Sequence, residues 1–283
     1  NHRIQRCPAD GDIIVADTWN ERIQRCPAAG SGDCTTVAGG QGQGSGPQQL
    51  RPLSVVLAPN GDFMVADMFN HRIQRCPAAG SGDCTTVAGG QGQGSGAQQL
   101  SEPKGIALAP DGDIIVADRK NHRVQRCPAA GSGDCTTVVG GRVPGLFSPG
   151  EIALTPDGDI IVPDGGKHRV LRCPASGSGD CAIVAGGQGE GSGAQQLSWP
   201  KAVALAPDGD IFVAEFGNSR VQRCPASGSG ECTTVAGSQG RGSGAQQLRG
   251  PCGVALAPDG DIIVADTWNE RIQRCPAAGS GDC

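Results

Sequence analysis

GIALAPDGDIIVADRKNHRVQRCPAAGSGDCTTVVG, residues 105–140, is the stretch whose reading decides the fold. It holds four short β-branched runs, at 105–110, 113–118, 122–127 and 135–140, each bounded by Gly, Pro, Asp or Asn. No segment of the chain sustains a helical period. The same unit recurs in both directions. Its DGD-type turn starts at Asp10, Asn60, Asp111, Asp157, Asp208 and Asp259, at intervals of 50, 51, 46, 51 and 51 residues. The 25 residues from Asp10 to Cys34 return letter for letter from Asp259 to Cys283. Four short strands in each unit of 40–50 residues are the pattern of a propeller blade. One such unit is too small to bury a core, so neighbouring units must stack. The expectation is an all-β, six-bladed β-propeller of four-stranded blades. It forms a single domain over 1–283, with blades near 1–40, 53–90, 104–141, 150–187, 201–238 and 252–283.

Composition agrees once the repeat is seen. The 283 residues include 47 Gly, 20 Pro and 14 Cys, but only 5 Phe, 3 Trp and no Tyr. Gly and Pro approach the level of low-complexity sequence. Yet 37% of the residues are hydrophobic, and Val and Ile recur in regular runs, which argues against disorder. No apolar run reaches the roughly 18–20 residues of a membrane span. The net charge of −5 argues against a generic nucleic-acid binder. The chain opens at Asn1 inside a motif, as expected of a processed product or a fragment.

The segment GIALAPDGDIIVAD, followed two residues later by NHRVQRC, resembles the NHL repeat, named for its Asn-His-Leu motif. Here NHR stands at Asn1, Asn70 and Asn121, with NER, KHR and NSR as variants, and the linker GGQGQGSGAQQL is also similar to NHL arrays. The resemblance spans essentially the whole chain and implies a six-bladed propeller of NHL-type blades. It implies no single activity, because the family holds binding modules and a few enzymes. An NHL-type lyase uses zinc held by convergent His, with Tyr and Arg nearby. This chain has no Tyr. His2, His71, His122 and His168 all hold one repeat position and are expected to be exposed polar residues far from one another.

The ends of the array are irregular. Residues 3–7 run into the first DGD turn and are expected to act as a substitute first strand for blade one. The last blade then has only three strands. Its open edge is a place where another chain could add a strand.

Twelve Cys form six C-x7-C pairs: Cys26 with Cys34, Cys76 with Cys84, Cys127 with Cys135, Cys173 with Cys181, Cys224 with Cys232 and Cys275 with Cys283. Each pair brackets a turn-rich stretch between two strands, where the cysteines of a hairpin face each other. Disulfides are expected, and with them an extracellular, secretory or other oxidising compartment. A metal site is disfavoured, because each pair supplies two thiolates with no His pair nearby. Cys7 and Cys252 are left over, as two free thiols or as a bond between them.

Six internal copies show which positions the scaffold fixes. Variation concentrates in the pair after the VAD motif and in the stretch before the first strand of each unit. The first place carries Trp19, Phe69, Arg119, Lys120, Phe216 and Trp268; the second carries Trp199 and Lys201. Variable loops on a rigid scaffold are where binding usually resides, and Trp, Phe and Arg are favoured anchors. These eight residues are the candidate binding site. The competing reading is that the rings cap the core between blades.

The repeated acid after IIVA (Asp17, Asp67, Asp118, Asp164, Glu215, Asp266) is expected to pair with the Arg five residues on. The other cations, Arg142 among them, gather in the variable connections, so the variable ends should be mildly basic and the DGD ends acidic. The Gly-rich linker lacks the Lys-Ser/Thr of a phosphate loop and reads as a flexible connection. No cofactor, metal or catalytic residue is expected. The function expected is a non-catalytic interaction or scaffold module that binds a protein or an anionic glycan. The alternatives are a structural subunit of a larger assembly, joined through the open edge, and a metal-dependent lyase or hydrolase with a site at the axis.

Overall fold

The computed structural model describes residues 3–6 (backbone only), 11–27, 32–80, 82–131, 133–140, 145–228, 230–277 and 282–283. His2, Cys7 and Arg142, which figure in the sequence reading, lie outside them. The described residues form six consecutive antiparallel sheets, the blades of an all-β propeller-class fold; five have four strands and the sixth has three. Blade two is typical. Its strands are Pro52–Leu57, Phe63–Asp67, Arg72–Cys76 and Thr85–Gly89, paired in chain order. In blade one, Arg3–Arg6 pairs antiparallel with Ile13–Asp17 and fills the first-strand position. Blade six consists of Gly253–Leu256, Ile262–Asp266 and Arg271–Cys275.

The chain divides into two compact units, Asn1–Thr137 and Val138–Cys283. In the first, the second strand of blade two shows how the core is built. All five residues of Phe63–Asp67 are buried. Side chains alternate between the two faces of a strand. Phe63 and Val65 pack with Ile14 and Ala16 of blade one. Met64 and Ala66 pack the other way, with Ile114 and Val116 of blade three. A strand buried on both faces must be apolar throughout, which is why IIVA and FMVA show no polar alternation. The second unit repeats the scheme. Ile211 and Val213 of blade five join Ile161 of blade four, while Phe212 and Ala214 join Ile262 and Val264 of blade six.

Two features went unread in the sequence. The Leu that ends each linker (Leu50, Leu100, Leu197, Leu248) is fully buried in an inter-blade cluster. Burial of such a side chain contributes about 1.5–3 kcal/mol. The linker is therefore fixed in place, contrary to the expected flexible connection. A Gln side chain also holds its turn: Gln99 Oε1 accepts from the Gly96 N–H, and its Nε2 donates to the Gln91 carbonyl.

All six expected disulfides are present: Cys26 bonds Cys34, Cys76 bonds Cys84, Cys127 bonds Cys135, Cys173 bonds Cys181, Cys224 bonds Cys232 and Cys275 bonds Cys283. Most do more than tie two strands. Cys76 and Cys84 belong to the core between blades one and two, Cys127 and Cys135 to that between blades two and three, and Cys224 and Cys232 to that between blades four and five. The sulfurs supply apolar volume that aromatic side chains supply in other cores. The bond of blade four is less enclosed: Cys173 is buried, but Cys181 is only half-buried. Cys34 of blade one is exposed, so its bond acts as a strand tie. Cys252 is a buried free thiol.

Candidate functional site

The variable ends are built on a repeated buried carboxylate. Each second strand ends in an acid, a three-residue 3-10 turn follows in five blades, and the chain returns through one residue in the left-handed region, such as His122 at φ 52°. In blade three Asp118 is fully buried. It accepts from Asn121 Nδ2 (2.8 Å), Arg123 Nε (2.8 Å) and the Ser101 backbone N–H (2.7 Å). Arg123 spends its other donors on the linker carbonyls of Ser95, Gly96 and Gln99. The D-x-x-N-x-R spacing thus places one carboxylate, one amide and one guanidinium together, and they fasten the linker and the start of the variable stretch. The expected acid–Arg pair is present in every blade, at 2.6–3.0 Å.

The His of the NHR motif has a role that the sequence reading missed. His71 and His168 are half-buried rather than exposed. The Nδ1 of each accepts a backbone N–H from the next blade's loop, at Glu102 and Trp199 respectively. Both donor residues sit in the left-handed region, at φ 50° and 49°. For a residue as bulky as Trp this is a strained conformation, held by its surroundings.

At the opposite end of each blade, the DGD acids are paired as well. Asp62, Asp113 and Asp210 bond Arg75, Arg126 and Arg223 at 2.6–2.7 Å. Those ends are therefore less acidic than the count of Asp suggests. The Arg75 and Arg126 bonds hold Asp62 and Asp113 below the usual carboxylate range. For Asp210 burial acts upward, but the Ala226 N–H and Arg223 outweigh it and the net direction is down. Asp164 and Glu215, in contrast, are pushed up by burial in spite of Arg169 and Arg220.

These directions give a pH profile. A carboxyl raised in the fold binds its proton more tightly there than in the unfolded chain. Asp164 and Glu215 therefore add stability as pH falls toward their ordinary values of 3.8 and 4.5. Asp62, Asp113 and Asp210 stabilise above 3.8, and that contribution is lost as pH falls further. The melting temperature should hold level or rise slightly from about pH 6 to about pH 4.5, then drop below about pH 3.8. Glu215→Gln should remove part of the rise. A steady decline starting near pH 6 would contradict the assignment.

The two variable segments of a blade meet directly. The N–H groups of Lys120, Gly166, Phe216 and Trp268 donate to the carbonyls of Ser101, Phe147, Trp199 and Arg249. In the first unit Arg51 of blade two lies over two rings, its Cζ 5.5 Å from the centroid of Trp19, 70% exposed, and 4.1 Å from that of Phe69. Arg119 and Lys120 converge on one carboxylate, Glu102, at 2.7 Å and 3.9 Å, so part of their charge is already matched.

In the second unit Trp199, Lys201, Phe216 and Trp268 form one run of rings and cations. His168 meets Trp199 edge-on at 5.5 Å. Lys201 Nζ lies 5.1 Å from Trp199 and 5.6 Å from Phe216. Phe216 meets Trp268 edge-on at 4.8 Å, and Arg241 and Arg249 lie 5.1 Å and 5.7 Å from the Trp268 centroid. Gly250, at φ 57°, makes the Phe216–Trp268 contact possible: a Cβ there would sit 3.0 Å from Phe216 and 3.2 Å from Trp268. Phe147 is exposed and lies over Gly166, where a Cβ would collide with its ring.

The eight predicted site residues are thus brought together in small groups within each unit; the rings of Trp19, Phe69, Trp199 and Trp268 face solvent, while Phe216 is half-buried against Trp268. Arg51, Phe147, Arg241 and Arg249, which the sequence places in the variable connections but not among the candidate site residues, join them, as does His168, which was missed. Four of the five were within reach of comparing the copies. Arg51, Phe147 and Arg249 stand in the variable stretch, and Arg241 occupies a linker position that is Gln43, Gln93 and Glu190 elsewhere. Among the described residues no group of three or more His, Cys, Asp or Glu could hold a metal ion, and no helix is long and apolar enough to cross a membrane.

The NHL repeat family matches residues 100–127, 197–224 and 248–275. Together with six blades of this pattern, these three matches support an NHL-repeat β-propeller. No curated protein matches it by sequence. Among solved structures it is similar to a gluconolactonase from Xanthomonas campestris, at 13% identity and a TM-score of 0.69, over 93% of this chain and 82% of that one. It is similar to virginiamycin B lyase from Staphylococcus aureus, at 14% identity and a TM-score of 0.59, over 97% and 83%. It also matches a chain of a nidogen/laminin complex, at 16% identity and a TM-score of 0.64, over 82% and 78%. At such identities the likeness concerns the fold alone.

Proposed function

We propose that this protein is a non-catalytic interaction module of an oxidising compartment, extracellular or secretory, that engages a macromolecular partner through the variable ends of its blades. One observation carries the reading. Of the six exposed large hydrophobic side chains among the described residues, Trp19, Phe69, Phe147, Trp199 and Trp268 stand at those ends, and only Ile183 lies elsewhere. Exposed apolar rings beside cations mark interaction sites. Six disulfides fit the compartment. The enzymes among the similar structures share only the fold. The nidogen/laminin match shows such a fold within a protein complex.

The test is binding to an array of secreted-protein ectodomains and polysaccharides by wild type and by a Trp19→Ala/Trp199→Ala/Trp268→Ala variant. The three indoles are 38–70% exposed and lie outside the inter-blade core clusters, so circular dichroism should be unchanged and the melting temperature should fall only modestly. Binding should fall by roughly tenfold or more, in line with the loss of interface anchors. Equal binding by both proteins would remove the variable ends from the function.

A further inference from the structure

The feature carried furthest by its chemistry lies in the second unit, around Trp268. Arg241 and Arg249 are both exposed, both lie within 6 Å of this one ring centroid, and neither bonds a carboxylate among the described residues. This contrasts with the Arg residues of the repeated third strands in the same unit. Arg169, Arg172, Arg220, Arg223, Arg271 and Arg274 each have an Asp or Glu partner. The first unit shows the same device once. Arg51 lies over Trp19 and Phe69, and its buried Nε has no hydrogen-bond partner.

A guanidinium stacked on a ring uses its face and keeps its in-plane N–H donors available. Those donors form a fork that matches carboxylate, sulfate or phosphate oxygens two at a time. The ring beside them is a flat apolar platform, with Trp268 48% exposed. A ligand that satisfies both has flat apolar ring faces and anionic substituents at its edges. Resting on the interaction-module reading, we propose that the Trp268 platform binds an anionic polysaccharide bearing sulfate or uronate groups. Sugar rings lie on Trp268, and Arg241 and Arg249 grip the acidic groups. An acidic peptide would use the two arginines and leave the ring surface wet. A single-stranded nucleic acid could use both, but an oxidising compartment, which the six disulfides fit, seldom holds nucleic acid. The Arg–Trp platform concentrates its attraction for acidic groups at one place.

The test measures binding of the full chain by calorimetry to four probes: heparin, polygalacturonate, neutral dextran and a poly-dT strand. Expected results are binding to heparin or polygalacturonate, none to dextran, and weaker binding to poly-dT at the same ionic strength. Arg241→Ala/Arg249→Ala should weaken the polysaccharide by at least about tenfold and flatten its salt dependence. Arg241→Lys/Arg249→Lys should not restore it, because a lysine has no fork. Trp268→Ala should weaken it comparably at every salt concentration. Circular dichroism confirms that each variant is folded. Equal affinity for poly-dT, or polysaccharide binding untouched by the double arginine variant, overturns the proposal. Binding of a protein ligand through Trp19 and Trp199 with no polysaccharide binding overturns it too, while leaving the interaction-module reading intact.

Discussion

Asp118→Ala is expected to destabilise the first unit by about 3–5 kcal/mol, the usual cost of removing one partner from a buried ion pair. Asp118 is fully buried, and three donors converge on it from Arg123, Asn121 and the Ser101 backbone. With the carboxylate gone, the Arg123 guanidinium stays close by with its charge unmatched, and the Ser101 N–H loses its acceptor. Domains of this kind are stable by only about 5–15 kcal/mol, so one substitution consumes a large share. The control is Asp111→Ala. That carboxylate also contacts an arginine, Arg126, but its side chain is 56% exposed. An exposed pair contributes about 0–1 kcal/mol. Thermal melts of the two variants should differ by roughly 4–10 °C, at about 2 °C per kcal/mol for a chain of this size. Similar melts would mean that the buried pair is not what fastens the blade.

Reduction of the disulfides should have the larger effect. Each bond joins residues 8 apart. Closing so short a loop removes roughly 2–3 kcal/mol of unfolded-chain entropy in the chain-entropy model. Six bonds together, about 12–18 kcal/mol in that model, match or exceed the whole stability of an ordinary domain. Most of the freed thiols would stay buried as small apolar groups, so the loss comes mainly through the unfolded chain. Thiol titration of the unreduced protein should find at most two reactive groups. After reduction the far-ultraviolet strand signal should collapse at 37 °C. Cys127→Ser/Cys135→Ser alone should lower the melting temperature by only a few degrees. Ten or more reactive thiols before reduction would refute both the bonds and the oxidising compartment.

Legibility in the sequence followed periodicity. Strands such as Ile114–Asp118 are local, β-branched and bounded by turns, so six copies of one pattern located the blades. The acid–Arg pair was legible because its five-residue spacing crosses a single tight turn. The role of His168 was not, because its partner, the Trp199 N–H, lies 31 residues away in another blade. The burial of Leu100 was hidden for the same reason: in the sequence it ends a Gly-rich loop, and only the packing of two blades closes over it. Arg241 and Arg249 read as two more loop cations until the fold set both beside Trp268.

The sequence alone therefore determined the number of blades, their strand pattern, the six cysteine pairs and the positions where the copies differ. Each of these is written in contacts within a hairpin or in the repetition of one unit. Only the tertiary structure decided which variable residues stand together, that most of their rings face solvent, and which disulfides sit within the inter-blade cores. Those depend on side chains from different blades meeting across linkers, and no local spacing encodes such contacts.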